Sequence, residues 1–207
     1  MSYRGEEAAF SLRISGLKDY LDYLEEVEYV INERRTKVKK SGEMIPEEDQ
    51  DEYWYRCIDE YDKYDSVFPD ILRKSIFTSL FAYFEHQLME FCEDKEVLKS
   101  INENGIEKAK VYISTHLGHR ELFREEEWMF IRKYGNVRNC LVHAGGVIYL
   151  MKNKDKQNEV RKFVSATKGI EINEGDEIIL TPIFCQDFVA IAFDFLTKTF
   201  NMIKKAP

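Results

Sequence analysis

The chain has 207 residues, of which 44% are hydrophobic, 14% aromatic and 33% charged. This composition is typical of a soluble folded protein with a sizeable core, and four prolines and ten glycines exclude collagen-like and low-complexity chains. The net charge of −8 lies entirely in residues 43–65, which carry ten acids and two bases, so the other charges balance. Global acidity therefore does not exclude a nucleic-acid partner, because phosphate binding depends on local charge.

Targeting and redox features are sparse. The longest apolar run, residues 188–193, is far shorter than the ~20 residues that span a bilayer, so we expect no membrane association. The polar N-terminal residues predict no signal peptide and a cytoplasmic location. The cysteines are widely spaced with no CxxC pair, and we interpret all four as small core residues in a reducing compartment: Cys57, Cys92, Cys140 and Cys185.

The N-terminal part of the chain has a helical pattern of apolar residues. The spacing predicts a first helix over residues 6–40, ended by Ser41 and Gly42, and a second helix from about residue 49 to residue 64. Asp65 or Ser66 is the expected N-cap of a third helix, with Pro69 in its first turn. The apolar face of this third helix is broad, which predicts a central helix buried on more than one side.

The pattern continues as helices and changes only near the C-terminus. We predict a short helix over residues 106–116, and a longer one that starts between residues 121 and 127, runs to about His143 and is stopped by Gly145 and Gly146. A basic loop follows. Two short β-rich runs, residues 170–172 and 178–180, predict a hairpin, and a last helix covers about residues 184–204.

The predicted architecture is an all-α helical bundle with a small β-hairpin inserted before the C-terminal helix. No linker divides it, so we predict one domain over residues 1–207. It comprises N-terminal helices over 6–64, a core over 66–146, and a C-terminal part over 147–207 with the basic loop, the hairpin and the last helix.

Most catalytic motifs are missing from the sequence. There is no P-loop, GxGxxG, GxSxG or HExxH pattern. His116 and His119 form an HxxH pair without a nearby third ligand, so we interpret them as a corner between helices and expect no metal site.

One helix combines residues suited to phosphate chemistry. At about 100° per residue, Arg138, Asn139 and His143 share an arc opposite the apolar stripe of Phe130, Tyr134, Val137 and Leu141. Gly135 leaves room beside them, and Arg132 adds charge. Arginine offers a planar fork to phosphate oxygens, and histidine exchanges protons near neutral pH. In isolation, such residues are more often an ion-paired arginine and a helix-capping histidine.

Arg138-Asn139-x-x-x-His143 is an R-x4-H motif at the end of a helix in an all-α bundle, followed by two glycines. Together with the aromatic helix that contains Phe84 and Glu85, it closely resembles the HEPN superfamily (higher eukaryotes and prokaryotes nucleotide-binding domains). The resemblance covers residues 66–146 well and the remainder only by architecture.

The resemblance implies a metal-independent endoribonuclease without a cofactor, of the kind found as toxins or effectors in prokaryotic conflict and phage defence. It implies a homodimer whose two motifs share one cleft. His143 would act as acid or base on the RNA 2′-hydroxyl or 5′-oxygen, Arg138 would stabilise the transition state, and Asn139 would orient them or bind phosphate. Arg132 and Glu85 are candidate substrate-binding residues, although Glu85 is as well explained as a solvent-facing or histidine-paired acid.

Two other functions remain open. The chain could be a non-catalytic HEPN module that docks a partner such as a nucleotidyltransferase or an antitoxin. It could also be a structural helical adaptor whose acidic segment binds a basic partner. The adaptor hypothesis predicts that Arg138 and His143 are buried or ion-paired, whereas the ribonuclease hypothesis predicts that both are exposed in a cleft.

Overall fold

The computed structural model describes residues 3–204, with side chains for residues 5–204. Residues 1–2 and 205–207 of the predicted domain lie outside this part. The fold is all-α with a single small hairpin before the last helix, as the sequence predicts. The elements are α1 Tyr3–Glu43, α2 Glu47–Asp62, α3 Phe68–Met89, α4 Lys95–Ser100, α5 Gly105–Val111, α6 Glu126–Ala144, α7 Lys154–Ala166, β1 Ile170–Ile172, β2 Ile178–Leu180 and α8 Pro182–Lys204.

Helix α3 is central, which confirms the expectation from its broad apolar face. It packs against α1, α6 and α8. Fully buried Phe77 of α3 lies 4.9 Å from Phe184 and 5.5 Å from Phe188 of α8, and 6.1 Å from Tyr134 of α6, measured between ring centroids. These rings join the three helices into one core, so α6 is held firmly where it carries the R-x4-H motif.

The acidic segment lies on a helical arm, which we define as residues 25–62 and which consists of the end of α1 and the antiparallel α2. Helix α2 contains no buried residue. The Tyr53 hydroxyl donates to the Val38 carbonyl at 2.8 Å, and Arg35 pairs with Asp65 at 3.1 Å at the base of the arm. The arm therefore carries most of the negative charge outside the aromatic core.

The predicted breaks around the arm are wrong at two places. Helix α1 continues through Ser41 and Gly42, where a Cβ on Gly42 would lie 2.8 Å from the Tyr53 ring, so this glycine allows a close helix contact. No cap separates α2 from α3, which are joined by a π-helical turn, Lys63–Val67. The Ser66 hydroxyl donates to the Asp62 carbonyl at 3.0 Å, a bond that continues the helix instead of capping a new one.

The predicted basic loop is also wrong, because most of it is helix α7. The Asn153 side chain accepts from the Lys156 amide at 3.1 Å and caps the first turn. Val160, Phe163 and Val164 have the i, i+3, i+4 spacing of one helix face, and all three are buried. Lys154 and Lys162 are exposed, whereas Lys156 and Arg161 are half-buried at the edges of this face.

Helix α6 and the hairpin end where the sequence predicts. Gly145 has φ +61° and stops α6. The strands pair antiparallel with Ile170 opposite Leu180. Asp176, in the hairpin turn, has φ +62° and accepts two hydrogen bonds from the Arg161 guanidinium of α7. The hairpin is thus fixed to α7.

Three of the four cysteines are buried as predicted, and burial raises the thiol pKa to about 12 in Cys92 and Cys185 and to about 11 in Cys140. Cys57 is the exception, because it lies half-buried on the arm and outside the core. Within residues 3–204, no helix is long and apolar enough to cross a membrane.

Candidate functional site

An open groove of about 510 Å³ runs beside α6, where α3 and the start of α5 face it. We call it the α6 groove. Four of the five residues predicted from the sequence line it: Glu85, Arg132, Arg138 and Asn139. Residues from four helices and one loop complete it, namely Phe81, Asn104, Gly105, Ile106, Glu107, Gly135, Asn136 and Lys156.

Arg138 is the one cation of the groove that no carboxylate neutralises among the described residues. Its Nη1 donates to Asn139 Oδ1 at 3.1 Å, so the asparagine holds the guanidinium from one side. Its Nε is buried and has no hydrogen-bond partner within residues 3–204. Because Nε itself is inaccessible, an anion in the groove would bind the terminal nitrogens of the guanidinium, where no carboxylate of the described chain competes. Arg138 is therefore suited to bind a phosphate oxygen.

The other two cations of the groove are paired. Arg132 Nε lies 3.0 Å from Glu107 Oε1, and Lys156 Nζ lies 2.7 Å from Glu159 Oε2. The hydrogen bond from Lys156 lowers the pKa of the Glu159 carboxyl, so this acid stays ionised. Of the three cations that line the groove, Arg138 is therefore the one most available to a phosphate.

Glu85 forms the opposite wall of the groove. Gly105, at the start of α5, has φ +57°, and a Cβ on it would lie 3.2 Å from Glu85 Oε1. This position thus favours glycine both for its backbone conformation and for the closeness of the carboxylate. Glu85 is half-buried and makes no ion pair within the described chain, while its neighbour His86 lies 4.0 Å from Glu90. The interpretation of Glu85 as a histidine-paired acid is therefore wrong.

His143 lies outside the α6 groove. It is five residues beyond Arg138, which corresponds to about 7.5 Å along the helix axis, and it is exposed in the last turn of α6. It makes no hydrogen bond or ion pair to another described residue. Since Arg138 also lacks an ion pair and faces a groove, the arrangement that the adaptor hypothesis predicts is not found. The cleft shared by Arg138 and His143 that the ribonuclease hypothesis predicts is not present in the single chain either, because only Arg138 lines the groove.

The sequence did not indicate several residues of the groove, among them Asn136 on α6 and Lys156 on α7. Asn136 is adjacent to the motif but lies on the side of α6 toward α7, where it donates to Glu159 at 2.9 Å. Lys156 falls in the segment that was predicted to be a loop and is in fact helix α7. Gly135 lines the groove as predicted, yet it is buried, and a Cβ there would lie 3.1 Å from Phe81 Cζ. The spacing of Val160, Phe163 and Val164 was the signal that could have placed Lys156 on a helix.

His116 and His119 lie at a corner, as predicted. His116 ends a π-helical turn, Tyr112–His116, and its ring packs tilted against that of Tyr112, with the centroids 4.9 Å apart. His119 Nδ1 is 3.4 Å from Glu121 Oε1. Among residues 3–204, no three His, Cys, Asp or Glu side chains are grouped so as to hold a metal ion.

Comparison of the chain with models of protein families, with curated proteins and with solved structures finds no match. The resemblance to the HEPN superfamily accordingly depends on the R-x4-H motif and its place on α6, and it stays a prediction.

Proposed function

We propose that this chain is a metal-independent endoribonuclease of HEPN type that cuts RNA by attack of its own 2′-hydroxyl. The observation that carries the proposal is the state of Arg138: a guanidinium in an open groove, without a carboxylate partner in the described chain and with a buried, unpartnered Nε. A guanidinium that faces an open groove without a carboxylate is available to bind an anion. The supporting observation is an exposed histidine on the same helix.

In the proposed reaction, His143 removes the proton from the 2′-oxygen, which bonds to the adjacent phosphorus. The bond from phosphorus to the 5′-oxygen breaks, and this oxygen takes up a proton from water, while the protonated His143 releases its proton to solvent. The products are a 2′,3′-cyclic phosphate and a 5′-hydroxyl. Arg138 stabilises the negative charge that builds up on the non-bridging oxygens, and Asn139 holds the guanidinium in place.

The separation of His143 from the groove gives the proposed homodimer a specific purpose. One chain places Arg138 in the groove and His143 outside it, in the last turn of the same helix, so one chain does not bring both side chains to a single phosphate. A two-fold partner that joins the two motifs would supply a second set of these side chains to the same phosphate. The proposed biological setting is a toxin or defence effector controlled by an antitoxin or a nucleotidyltransferase.

Cleavage of a mixed RNA in EDTA tests this proposal. Arg138→Ala and His143→Ala should each lower the rate at least ~100-fold, because transition-state stabilisation and acid–base catalysis each contribute about that much or more. Arg34→Ala and His86→Ala are matched controls, since both residues are exposed and lie away from the groove. The products should carry cyclic-phosphate ends.

Two results would contradict the proposal: no cleavage by the wild-type protein, or equal cleavage by all five proteins. Absent cleavage combined with tight RNA or protein binding would favour the non-catalytic docking module instead. Light scattering on the wild-type protein at micromolar concentration tests the homodimer, which predicts twice the mass of the 24.6 kDa chain.

A further inference from the structure

A second groove lies on the other side of α6, between this helix and α7, with a volume of about 560 Å³. We call it the α7 groove. Helix α6 contributes Met129, Lys133 and Asn136, and α7 contributes Lys162 and Phe163. Arg132 and Asn136 line both grooves, so the two openings meet across α6. A ligand that fills the α6 groove can continue into the α7 groove without leaving the surface.

The α7 groove combines an aromatic floor with free cations. The Lys133 ammonium lies 4.8 Å from the centroid of the Phe130 ring and 6.0 Å from that of Phe163. Lys133 and Lys162 are exposed and form no ion pair within residues 3–204. The one lining carboxylate, Glu159, is already occupied by Asn136 and Lys156. The free charge of the groove is therefore positive.

These features favour a particular ligand chemistry, namely a flat ring joined to an anion. Lys133 rests on Phe130 without any carboxylate to hold it there, so a planar ligand can replace it on the ring. The displaced ammonium then stays within reach of a phosphate attached to that ligand. Aromatic side chains beside lysines are the usual means of binding single-stranded nucleic acid without sequence preference.

We propose that the α7 groove binds a nucleotide of single-stranded RNA next to the one held by Arg138, with its base stacked on Phe130 and its phosphates held by Lys133 and Lys162. This inference rests on the proposed function for the identity of the ligand. It adds a second subsite, which extends the RNA path from one groove to two.

Binding of a labelled single-stranded RNA to the His143→Ala protein, in EDTA and over a range of salt concentrations, tests the second subsite. Phe130→Ala should weaken binding by roughly 5- to 150-fold, the effect of losing one stacked base. Lys133→Gln with Lys162→Gln should reduce the slope of log affinity against log salt by about 1.4, since each lost phosphate contact contributes about 0.7 on single strands.

Two further variants make the test selective. Met129→Glu changes a residue that is 55% exposed and so spares the core, and it should weaken binding by placing a negative charge in the groove. Lys37→Gln with Lys39→Gln removes two exposed lysines from the arm and should leave both affinity and salt slope unchanged.

The outcomes separate this inference from the proposed function. If RNA binding and cleavage depend on Arg138 but not on Phe130, Lys133 and Lys162, the second subsite is wrong and the ribonuclease proposal stands. If the protein neither binds nor cuts RNA, both are wrong. Displacement of bound RNA only by a folded protein, with Phe130→Ala binding RNA normally, would assign the α7 groove to a protein partner.

Discussion

Removal of the Asp176 charge should loosen the connection between the hairpin and α7, next to the proposed RNA path. Asp176 accepts two hydrogen bonds from Arg161, one of them 2.6 Å long from Nη2, and a third at 2.9 Å from the Tyr149 backbone amide. Its φ of +62° is a conformation that asparagine also tolerates. Asp176→Asn therefore removes the charge and one acceptor while the backbone can keep its course.

The expected cost follows from these contacts. A hydrogen bond to a charged group contributes about 1.5–3 kcal/mol, and the lower end applies because the side chains of Arg161 and Asp176 are 40% and 21% exposed. We expect a loss of about 1.5 kcal/mol in the free energy of unfolding at pH 7. For a chain of this length that is a decrease of about 3–6 °C in the melting temperature.

The effect should depend on pH in a defined direction. The hydrogen bond from Arg161 lowers the pKa of the Asp176 carboxyl below its ordinary value of 3.8. The stabilisation is therefore complete above about pH 4 and is lost as the pH falls through the folded-state value. Urea unfolding at pH 7, 5, 4 and 3 should show a constant difference between Asp176→Asn and wild type down to pH 5, and a smaller one at pH 3.

The control for this experiment is Asp22→Asn, which changes an exposed aspartate on α1 that has no ion pair within the described residues. It should alter the free energy of unfolding by less than about 0.5 kcal/mol. Equal stability of Asp176→Asn and wild type at pH 7, or a difference that stays constant from pH 7 to pH 3, would refute the proposed role of this ion pair.

Three further changes have definite expected results. An alanine in the left-handed conformation costs ~1–2 kcal/mol, and Gly169→Ala should lower the free energy of unfolding by well over that amount, because its Cβ would lie 2.6 Å from the Phe184 nitrogen. Gly118→Ala is the control: this glycine also has a positive φ but faces open space, so urea unfolding should show only the ~1–2 kcal/mol conformational cost. Phe188→Ala should cost about 3–5 kcal/mol by the same measurement, and a smaller loss would contradict its central place in the aromatic core. Arg138→Lys should cut RNA at least ~10-fold more slowly than wild type, since an ammonium cannot offer the guanidinium fork, and equal rates would show that charge alone suffices.

Most of the helices and the hairpin could be predicted, because their start, stop and turn signals are local in the sequence; helix α7 was the main exception. Gly145 ends α6 and the β-rich runs at 170–172 and 178–180 pair as expected, since turn residues and apolar spacing act over a few positions. The junction at Ser66 could not be predicted, because a serine can cap a helix or bond back to the carbonyl four residues earlier. Tertiary packing decides between these two geometries.

The candidate site, too, could be predicted from the sequence only in part. The helical wheel placed Arg138 and Asn139 on the open side of α6, because that requires only the periodicity of one helix. The unpartnered Nε of Arg138, the contact of Gly105 with Glu85 and the shared lining of the two grooves involve residues distant in sequence. Pattern analysis along one helix carries no information about such contacts.

The negative net charge and an RNA substrate are compatible because the structure separates the two signs. No residue that lines either groove belongs to the acidic segment 43–65 among the described residues. The α6 groove is lined by three cations and two acids, and the α7 groove by three cations and one acid. At physiological ionic strength the Debye length is about 8 Å, so exposed acids farther than this from a groove are largely screened from a ligand bound in it. For the proposed RNA substrate, we therefore expect affinity to depend on Arg138, Lys133 and Lys162 rather than on the acidic arm.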